Sequence, residues 1–435
     1  MSDFIKNLPQ PIGIVGLGKS GESAYKLLSL FFSKEQLFTF DSKNPSANFT
    51  DSGLFVQTVQ PKTLVVSPGV PLSTDWIQNC KKSGVLITSE ISLAASILTT
   101  EKTIGITGSL GKSTTVSLLN AALEKTQLSY FVGGNIGIPF ADYAIEIVQK
   151  KRRPADWVVL ELSSYQLENA FGLKLNFSAI TYLAANHLER YSSLDEYYHT
   201  KWKILDITQE KCFMNFYGGD LASFINEQSR TGIAKEKAKK IFFAKKEDLT
   251  KYELQENRLV GSHNIDNLAL ATQMALSADW GEACIAGLKC YPGMAHRLEN
   301  IGEHDGVLFI NDSKATTIES VLSAISATAE IPGRNTIHLL LGGKDKSLPW
   351  HKLSDLKLNP RIQFYFFGAD RQLIQSSSQL AGPVLIDFKS ALDECRKNLK
   401  PKDVVLLSPG GTSLDEFKNF EERGEVFRQY VLAKN

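Results

Sequence analysis

Short apolar runs alternate with longer amphipathic stretches along the whole chain. The apolar runs have the length of buried strands. The clearest of them are Pro11–Val15, Leu37–Phe40, Thr63–Ser67, Thr103–Ile106, Trp157–Glu161 and Ala179–Leu183. The stretches between them have the spacing of helices. Because strands that alternate with helices pair in parallel beneath a cover of helices, this pattern predicts an α/β fold.

The pattern restarts three times, each time with its own glycine-rich turn after a strand. These turns lie at Gly16, Gly108 and Gly342. A chain of 435 residues is also longer than one hydrophobic core usually supports. We therefore expect three nucleotide-fold-like domains, comprising residues 1–96, 97–291 and 292–435. The second boundary follows the turn chemistry around Pro292, whereas the first rests on the count of strands.

The composition is that of an ordinary globular protein, with 43% hydrophobic and 22% charged residues. A formal net charge of +1 gives no general attraction to nucleic acid or to anionic membranes. The five cysteines are scattered, which argues against a disulfide framework or a zinc cluster. We also find neither an export signal nor an apolar stretch long enough to span a membrane. These features favour a protein of the reducing cytoplasm that acts without a nucleic-acid or membrane partner.

The stretch from Gly108 to Thr114 lies where an apolar strand gives way to a predicted helix, Val116–Ala122. Its glycines let backbone N–H groups approach phosphate oxygens, Lys112 can neutralise their charge, and a following hydroxyl can hold Mg²⁺. The glycine spacing departs from the common phosphate-loop pattern. Its setting between strand and helix nevertheless predicts binding of a nucleoside triphosphate.

A second glycine-rich loop runs from Gly16 to Gly21, and Asp41 follows the next strand. This spacing is that of a dinucleotide fingerprint, in which glycines approach a pyrophosphate and an acid binds ribose hydroxyls. A nicotinamide-dependent dehydrogenase is one reading, and tight packing of helix on strand without a ligand is another. Pyrophosphate binding is the inference that the residues support most directly.

Three further residues follow predicted strands or lie on a predicted helix after the phosphate loop. Glu161 ends a buried strand, where a carboxylate can complete the ligands of a Mg²⁺ ion or cap the next helix. His187 also follows a strand, although a single histidine is more often structural. Lys201, taken alone, is a solvated charge on a helix.

The chain resembles the Mur ligases, ATP-dependent enzymes that add amino acids to the peptidoglycan precursor. This resemblance implies a role for each of these residues. The blocks that carry the resemblance are Thr107–Ser113, Gly133–Gly137, Glu161–Glu168, Gly261–Asn264, His296–Arg297, Asn311–Thr316, Leu341–Gly343 and Ser413–Asp415. The resemblance implies a Rossmann-like first domain that holds the UDP end of the substrate. It further implies a central phosphate-loop domain that binds ATP and a Rossmann-like third domain that binds the incoming amino acid.

The resemblance also implies roles for individual residues. Those implied to bind ATP are Gly108, Ser109, Gly111, Lys112, Ser113, Thr114, Asn264, Asn267, Arg297 and Asp312. The residues implied to act in catalysis are Lys112, Glu161, His187 and Lys201. Two Mg²⁺ sites are implied, with the ligands Ser113, Glu161, His187 and Lys201. Lys201 would act as a carbamate formed with CO₂, which turns a cation into an anionic oxygen ligand.

The remaining implied residues contact the two other substrates. Those for the UDP-linked substrate are Lys19, Ser20, Asp41, Ser42, Lys43, Gly69, Asn135 and His187. Those for D-glutamate are Thr316, Lys346, Ser413 and Phe420. Two positions depart from the family pattern, since Leu110 stands where asparagine is common and Asn186 stands where aspartate is usual.

The implied activity is the addition of D-glutamate to UDP-N-acetylmuramoyl-L-alanine through an acyl phosphate, with release of ADP and phosphate. We expect a cytoplasmic monomer. Two alternatives stay open at this stage. The first is a family member with another amino-acid specificity. The second is a nucleotide-binding module that keeps the fold without the chemistry.

Overall fold

Three β-sheets organise the described part of the chain, as the three glycine-rich turns predict. The computed structural model describes residues 3–185, 190–215, 218–231, 235–254 and 259–433. Two compact units are present: unit 1 comprises Met1–Leu254 and Asp266–Leu288, and unit 2 comprises Gln255–Ile265 and Lys289–Asn435. Unit 1 contains two of the sheets and unit 2 the third. The predicted α/β class is confirmed, whereas the boundaries after residues 96 and 291 stay predictions.

The first sheet has four parallel strands in the order β2-β1-β3-β4. Its elements are α1 (Asp3–Lys6), β1 (Ile12–Val15), α2 (Lys19–Leu28), a 3₁₀ helix (Lys34–Gln36), β2 (Leu37–Phe40), α3 (Ser52–Val59), β3 (Thr63–Val66), α4 (Asp75–Lys82), β4 (Leu86–Thr88) and α5 (Glu90–Ala95). Helix α2 passes close to the turn after β1, since a Cβ built on Gly21 would lie 1.8 Å from the carbonyl oxygen of Gly16. Only glycine permits this approach.

The second sheet has six parallel strands in the order β10-β9-β8-β5-β7-β6. Its elements are β5 (Lys102–Thr107), α6 (Lys112–Leu123), β6 (Tyr130–Gly134), α7 (Phe140–Val148), β7 (Trp157–Glu161), α8 (Ser164–Leu167), β8 (Leu175–Ile180), α9 (Leu194–Trp202), α10 (Ile204–Ile207), β9 (Thr208–Met214), α11 (Leu221–Thr231), α12 (Lys235–Ala238) and β10 (Ile241–Phe243). A 3₁₀ helix (Lys246–Tyr252), α13 (Ser262–Ser277) and α14 (Ala283–Lys289) follow.

One predicted strand is wrong in its position. The expected strand Ala179–Leu183 is β8, which begins four residues earlier at Leu175 and ends at Ile180. After Ile180 the chain turns toward the phosphate loop, where the Thr181 hydroxyl donates to the carbonyl of Leu110. Leu183 makes only an isolated bridge. The apolar run therefore continues past the end of the strand.

The two sheets of unit 1 share one hydrophobic core. Buried side chains of α2 and α5 pack with those of α7 in a single cluster. Polar contacts reinforce the joint, because the buried carboxylate of Glu90 accepts a hydrogen bond from the backbone N–H of Ala141. The hydroxyl of Ser23 donates to Asp142 at the same helix end. The first glycine-rich loop and the phosphate loop are thus carried by one body.

The third sheet has five strands in the order β11-β12-β15-β13-β14, and its edge strand β11 is antiparallel to β12. Its elements are β11 (Glu299–His304), β12 (Val307–Asn311), α15 (Ile318–Ala329), β13 (Ile337–Gly342), a 3₁₀ helix (Trp350–Leu358), β14 (Ile362–Phe367), α16 (Arg371–Ser378), α17 (Phe388–Lys397), β15 (Val404–Gly410) and α18 (Phe420–Leu432). The strands β12, β15 and β13 are parallel, so the loops that follow them meet at one edge of the sheet.

Two findings bear on the expectations about redox state and membranes. All five cysteines are free thiols, and four of them are buried. Within the described ranges, none of the helices has both the length and the hydropathy that crossing a bilayer requires.

Candidate active site

The phosphate loop connects β5 to α6 and is shaped by glycine. Gly111 precedes the helix with a φ of 86°, which L-residues with side chains rarely adopt. The ammonium group of Lys112 folds back over the loop and donates to the carbonyls of Gly108, at 2.8 Å, and Ser109, at 3.2 Å. The loop therefore presents a lysine and the start of a twelve-residue helix at the carboxyl end of β5. This arrangement suits a polyphosphate.

Neighbouring segments hold the loop in place. Ser109 donates its backbone N–H to Tyr182 at 2.6 Å and its hydroxyl to Ala184 at 2.9 Å, both in the segment after β8. From α13, the amide oxygen of Asn267 accepts a hydrogen bond from Thr115 at 3.4 Å, and it would lie 2.6 Å from a Cβ built on Gly111. The structure thus places Asn267 against the phosphate loop.

Glu161 lies at the carboxyl end of β7, the strand that pairs with β5. It is 2% exposed, and its Oε1 accepts a hydrogen bond of 2.8 Å from the side-chain amide of Asn135. Its Oε2 is buried without a hydrogen-bond partner in the described part of the chain. The backbone of Asn135 also donates to the Glu161 carbonyl at 2.9 Å. Burying an unpaired carboxylate oxygen is costly, so this atom is suited to a ligand.

Lys201 reaches the same place from α9. Its side chain is buried, and its ammonium donates to the carbonyl of Gly108 at 2.9 Å and lies 4.7 Å from the centre of the Tyr197 ring. Desolvation lowers the pKa of Lys201 well below its usual value, and the nearby charge of Lys112 lowers it further, while Glu161 acts in the opposite direction. The structure therefore brings Lys112, Glu161 and Lys201 together.

The other two expected metal ligands are His187 and Ser113. His187 and Asn186 lie outside the described residues. Ser113 and Thr114 occupy the first turn of α6, with Ser113 partly exposed and Thr114 buried. In the described ranges, no group of three or more His, Cys, Asp or Glu side chains could hold a metal by itself.

The first glycine-rich loop is organised by Asp41. One carboxylate oxygen accepts from the backbone N–H of Leu17 at 2.8 Å, and the other accepts from those of Lys43, at 2.8 Å, and Asn44, at 3.1 Å. These backbone hydrogen bonds, that of Leu17 first, lower the pKa of Asp41. Of the other residues implied to contact the UDP-linked substrate, Ser20 is partly exposed, and those that are exposed are Lys19, Ser42, Lys43 and Gly69.

In unit 2, Arg297 and Asp312 are neighbours. Asp312 is buried and accepts hydrogen bonds from the backbone N–H of Leu298, at 3.1 Å, and the hydroxyl of Ser408, at 3.1 Å. Burial raises the pKa of Asp312 to about 7 despite these bonds and the nearby charge of Arg297. Arg297 lies between His296 and Leu298, whose φ values of 61° and 44° are strained for side-chain-bearing residues.

The residues implied to bind D-glutamate lie on the loops after β12, β13 and β15 and at the start of α18. They are Thr316, Lys346, Ser413 and Phe420. Lys346 is exposed, Ser413 is buried, and Thr316 and Phe420 are partly exposed. The loops after β13 and β15 are joined by a reciprocal pair of backbone hydrogen bonds between Lys344 and Thr412, each 2.9 Å long.

Sequence reasoning missed Arg423, which ties these loops together. Its side chain is fully buried and donates to the hydroxyl and carbonyl of Ser313, at 3.0 and 2.9 Å, and to the carbonyl of Gly411 at 3.3 Å. Desolvation lowers the pKa of Arg423 to about 10. Its only signal in the sequence is its position three residues after Phe420, on the same face of a helix.

A glycine-rich loop between a parallel strand and a helix, with lysines and a buried carboxylate at its mouth, defines a nucleotide-binding α/β protein. Residues 106–275 match the family model described as the Mur ligase middle domain. Two relatives named UDP-N-acetylmuramoylalanine–D-glutamate ligase extend the match to nearly the whole chain. That of Acidobacterium capsulatum is 33% identical and covers 97% of this chain and 95% of its own. That of Mannheimia succiniciproducens is 32% identical and covers 97% of both chains. The chain belongs to the Mur ligase family.

Solved structures agree with this assignment at the level of the fold. The MurF ligase of Thermotoga maritima, solved in complex with ADP, has a TM-score of 0.55 at 16% identity, covering 91% of this chain and 95% of its own. The UDP-N-acetylmuramate–alanine ligase of the same organism has a TM-score of 0.52 at 16% identity, covering 98% of this chain and all of its own. The three-domain Mur ligase fold is therefore confirmed.

Proposed function

We propose that this protein is an ATP-dependent ligase that joins D-glutamate to UDP-N-acetylmuramoyl-L-alanine, in the synthesis of the peptidoglycan precursor. The observation that carries the proposal is the convergence of Lys112, Lys201 and Glu161 on the phosphate loop. The choice of D-glutamate is supported by relatives of that name at 31–33% identity.

The first step makes the substrate carboxylate reactive. A carboxylate oxygen of the UDP-linked substrate attacks the γ-phosphorus of ATP, the bond from that phosphorus to the bridging oxygen breaks, and ADP leaves with the electron pair. The product is an acyl phosphate. Lys112 neutralises the phosphate charge as it moves, and the N-terminus of α6 orients the phosphates.

The second step forms the amide bond. The amine of D-glutamate attacks the carbonyl carbon of the acyl phosphate, and a C–N bond forms as the C–O bond to phosphate breaks. Phosphate leaves, and the amine nitrogen loses its proton to solvent or to a nearby base. An exposed cation such as Lys346 suits the side-chain carboxylate of this amino acid, with Thr316, Ser413 and Phe420 completing its site.

The donor atoms near the phosphate loop fit Mg²⁺. Glu161 offers a buried oxygen without a hydrogen-bond partner among the described residues, and Ser113 offers a hydroxyl in the first turn of α6, directly after the loop. Bound there, Mg²⁺ would neutralise phosphate charge during transfer. Lys201 fits a carbamate, because its lowered pKa favours the neutral amine that reacts with CO₂, and a carbamate would add an anionic oxygen ligand. His187 stays a predicted ligand.

The other implied roles are part of the same proposal. Asn264, Asn267, Arg297 and Asp312 would contact the nucleotide, while Asn135, Gly69 and the first glycine-rich loop would contact the UDP-linked substrate. We expect the protein to act as a monomer in the cytoplasm. The free thiols are compatible with that compartment.

The experiment that tests the proposal is phosphate release by the full chain with ATP, Mg²⁺ and UDP-N-acetylmuramoyl-L-alanine, with each candidate amino acid in turn. We expect release with D-glutamate and only background with L-alanine, a diamino acid or a dipeptide. Release with L-alanine and UDP-N-acetylmuramate would instead assign another specificity. ATP binding without turnover would indicate a binding module, and saturable NAD(P) binding would favour a dehydrogenase.

The carbamate has its own test. Lys201→Ala should lose activity and regain part of it when short-chain carboxylic acids are added, since their carboxylate can replace the carbamate oxygens. Lys203→Ala, two residues further on and exposed, is the matched control and should keep full activity. Full activity of Lys201→Ala would refute the carbamate.

A further inference from the structure

A buried arginine connects the two sheets of unit 1 at the turn that follows β3. Residues Ser67–Val70 form this turn, closed by a hydrogen bond of 3.0 Å from the N–H of Val70 to the carbonyl of Ser67. Gly69 lies at its tip, and a Cβ built there would meet nothing within 4 Å. The outer side of the turn is therefore open to a ligand, and Gly69 is one of the residues that we assign to the UDP-linked substrate.

The inner side of the turn is held by Arg190. Its guanidinium donates to the carbonyl of Pro68 at 3.0 Å and to that of Val70 at 3.4 Å, the carbonyls on either side of Gly69. Arg190 belongs to the segment between β8 and α9 of the second sheet, 122 residues from Pro68 along the chain. The turn of the first sheet is thus fixed by a side chain of the ATP-binding sheet.

Arg190 is itself held in one orientation. It forms a two-pronged contact with Glu168, with donor–acceptor distances of 2.8 and 3.3 Å, and its guanidinium carbon lies 4.2 Å from the centre of the Tyr165 ring. The hydroxyl of Tyr191 donates to the same carboxylate at 2.8 Å. Only 8% of the Arg190 side chain is exposed. A paired and stacked guanidinium of this kind is rigid.

The partner of Arg190 is directly connected to the catalytic strand. Glu168 is the C-cap residue of α8, and the N-terminus of this short helix is capped by Ser163, two residues after Glu161. The next carbonyl, that of Asn169, accepts hydrogen bonds from the hydroxyls of Ser89 and Ser92 at the start of α5, the helix that follows the last strand of the first sheet. The path from Glu161 to Arg190 and on to Gly69 therefore contains no long flexible segment.

The turn also supports the first glycine-rich loop. The hydroxyl of Ser67 donates to the carbonyl of Gly16 at 2.7 Å, and its N–H donates to Val15 at 2.9 Å. Movement of the turn would therefore disturb both loops of the first sheet that we assign to the UDP-linked substrate.

We infer that Arg190 is a positioning residue for this substrate: through Pro68 and Val70 it fixes the Gly69 turn relative to Glu161. The inference rests on the proposed function. Preorganised loops bind with less loss of conformational freedom, and small displacements of a reacting group cost rate. Loss of the clamp therefore weakens binding of the UDP-linked substrate and leaves ATP binding intact.

The test compares Arg190→Lys with wild type in steady-state kinetics and in calorimetry with UDP-N-acetylmuramoyl-L-alanine and, separately, ATP. Lysine keeps the charge but cannot pair with Glu168 and reach two carbonyls at once. We expect Kd and KM for the UDP-linked substrate to rise at least about tenfold, since charge-assisted hydrogen bonds are lost. Kd for ATP should stay within about twofold, a range typical of a change remote from a ligand.

Two further variants keep the inference falsifiable if Arg190→Lys folds poorly. Glu168→Gln should weaken the UDP-linked substrate in the same direction, and the two changes should be less than additive because they break one contact. Arg190→Ala should regain affinity when guanidinium ion is added. The matched control is Arg334→Lys, which makes the same substitution in an arginine–glutamate pair of unit 2 and should leave both affinities unchanged.

The outcomes separate this inference from the proposed function. Wild type that does not bind the UDP-linked substrate overturns the proposed function. Wild type that binds it, with Arg190→Lys and Glu168→Gln binding equally well, overturns only the role of Arg190. Equal losses of UDP-substrate and ATP affinity would indicate a general structural role and would also overturn it.

Discussion

Glu90 is a buried carboxylate whose charge should destabilise the folded protein at alkaline pH. It begins α5, is 2% exposed, and accepts a backbone hydrogen bond from Ala141 at the start of α7. Desolvation raises the pKa of Glu90 to about 7 from 4.5, and the nearby charge of Asp142 acts in the same direction. The perturbation is Glu90→Gln, which keeps the shape and an acceptor oxygen while removing the charge.

The magnitude follows from the two pKa values. Below pH 4.5 both the folded and the unfolded chain carry the proton. As the pH rises toward about 7, the unfolded chain releases it while the folded chain keeps it, so the free energy of unfolding falls. The gap of about 2.5 between 4.5 and about 7 corresponds to about 3 kcal/mol, at 1.36 kcal/mol for each pH unit. This loss should be complete above about pH 8 and absent from Glu90→Gln.

The assay is urea-induced unfolding of both proteins at pH 5 and pH 8.5, followed by tryptophan fluorescence. All the tryptophans except Trp350 lie in unit 1, so the signal reports mainly on the unit that contains Glu90. The free energy of unfolding of Glu90→Gln minus that of wild type should increase by about 2 to 3 kcal/mol from pH 5 to pH 8.5. Glu22→Gln, an exposed change on α2, is the control and should change by less than about 0.5 kcal/mol. If Glu90→Gln is the less stable protein at pH 8.5, the helix end stabilises the carboxylate and the reasoning is wrong.

Three further predictions concern the phosphate loop, the surroundings of Glu161 and the packing of unit 2. Gly108→Ala places a Cβ 2.1 Å from a threonine hydroxyl at a φ of 148°, so ATP affinity measured by calorimetry should fall at least about tenfold, and an unchanged Kd would contradict this. Asn135→Asp replaces the amide that donates to Glu161 with a second carboxylate that repels it, so kcat should fall at least about tenfold, whereas an unchanged kcat would contradict a role for this contact. Gly424→Ala drives a Cβ to 2.1 Å from His296, so unit 2, monitored through Trp350, should lose more than about 2 kcal/mol of stability in urea unfolding. Unaltered unfolding would show that the histidine moves aside.

The hydrophobic pattern located strands well where a strand is buried along its whole length. The runs Leu37–Phe40 and Trp157–Glu161 coincide with β2 and β7. It failed at β8, because the segment after Ile180 is apolar for another reason, its packing beside the phosphate loop. Periodicity reports burial, and burial does not distinguish a strand from the loop that follows it.

The residues of the candidate site likewise fall into two groups, those that the positions of the strands predict and those that only the folded structure reveals. That polar residues after β5 and β7 meet was predictable, because parallel strands end at a common edge. The roles of Arg190 and Arg423 were not, because each depends on contacts with carbonyls more than 100 residues away along the chain. No local pattern encodes such a contact, and only the folded chain distinguishes these arginines from solvated ones.

Among the described residues, Arg423 and Lys201 are fully buried cations, and the cost of burying each charge is met in a different way. Arg423 donates to Ser313 and Gly411 in two different loops, so its desolvation is offset by hydrogen bonds that order unit 2. Within the described residues, Lys201 donates only to the carbonyl of Gly108, which it shares with another lysine, and burial lowers its pKa. A fold gains little from a cation placed in this way. Conversion to an anion, or arrival of a phosphate, would offset the repulsion between the two lysines, and this need for a ligand is the physical reason to propose that Lys201 takes part in the reaction.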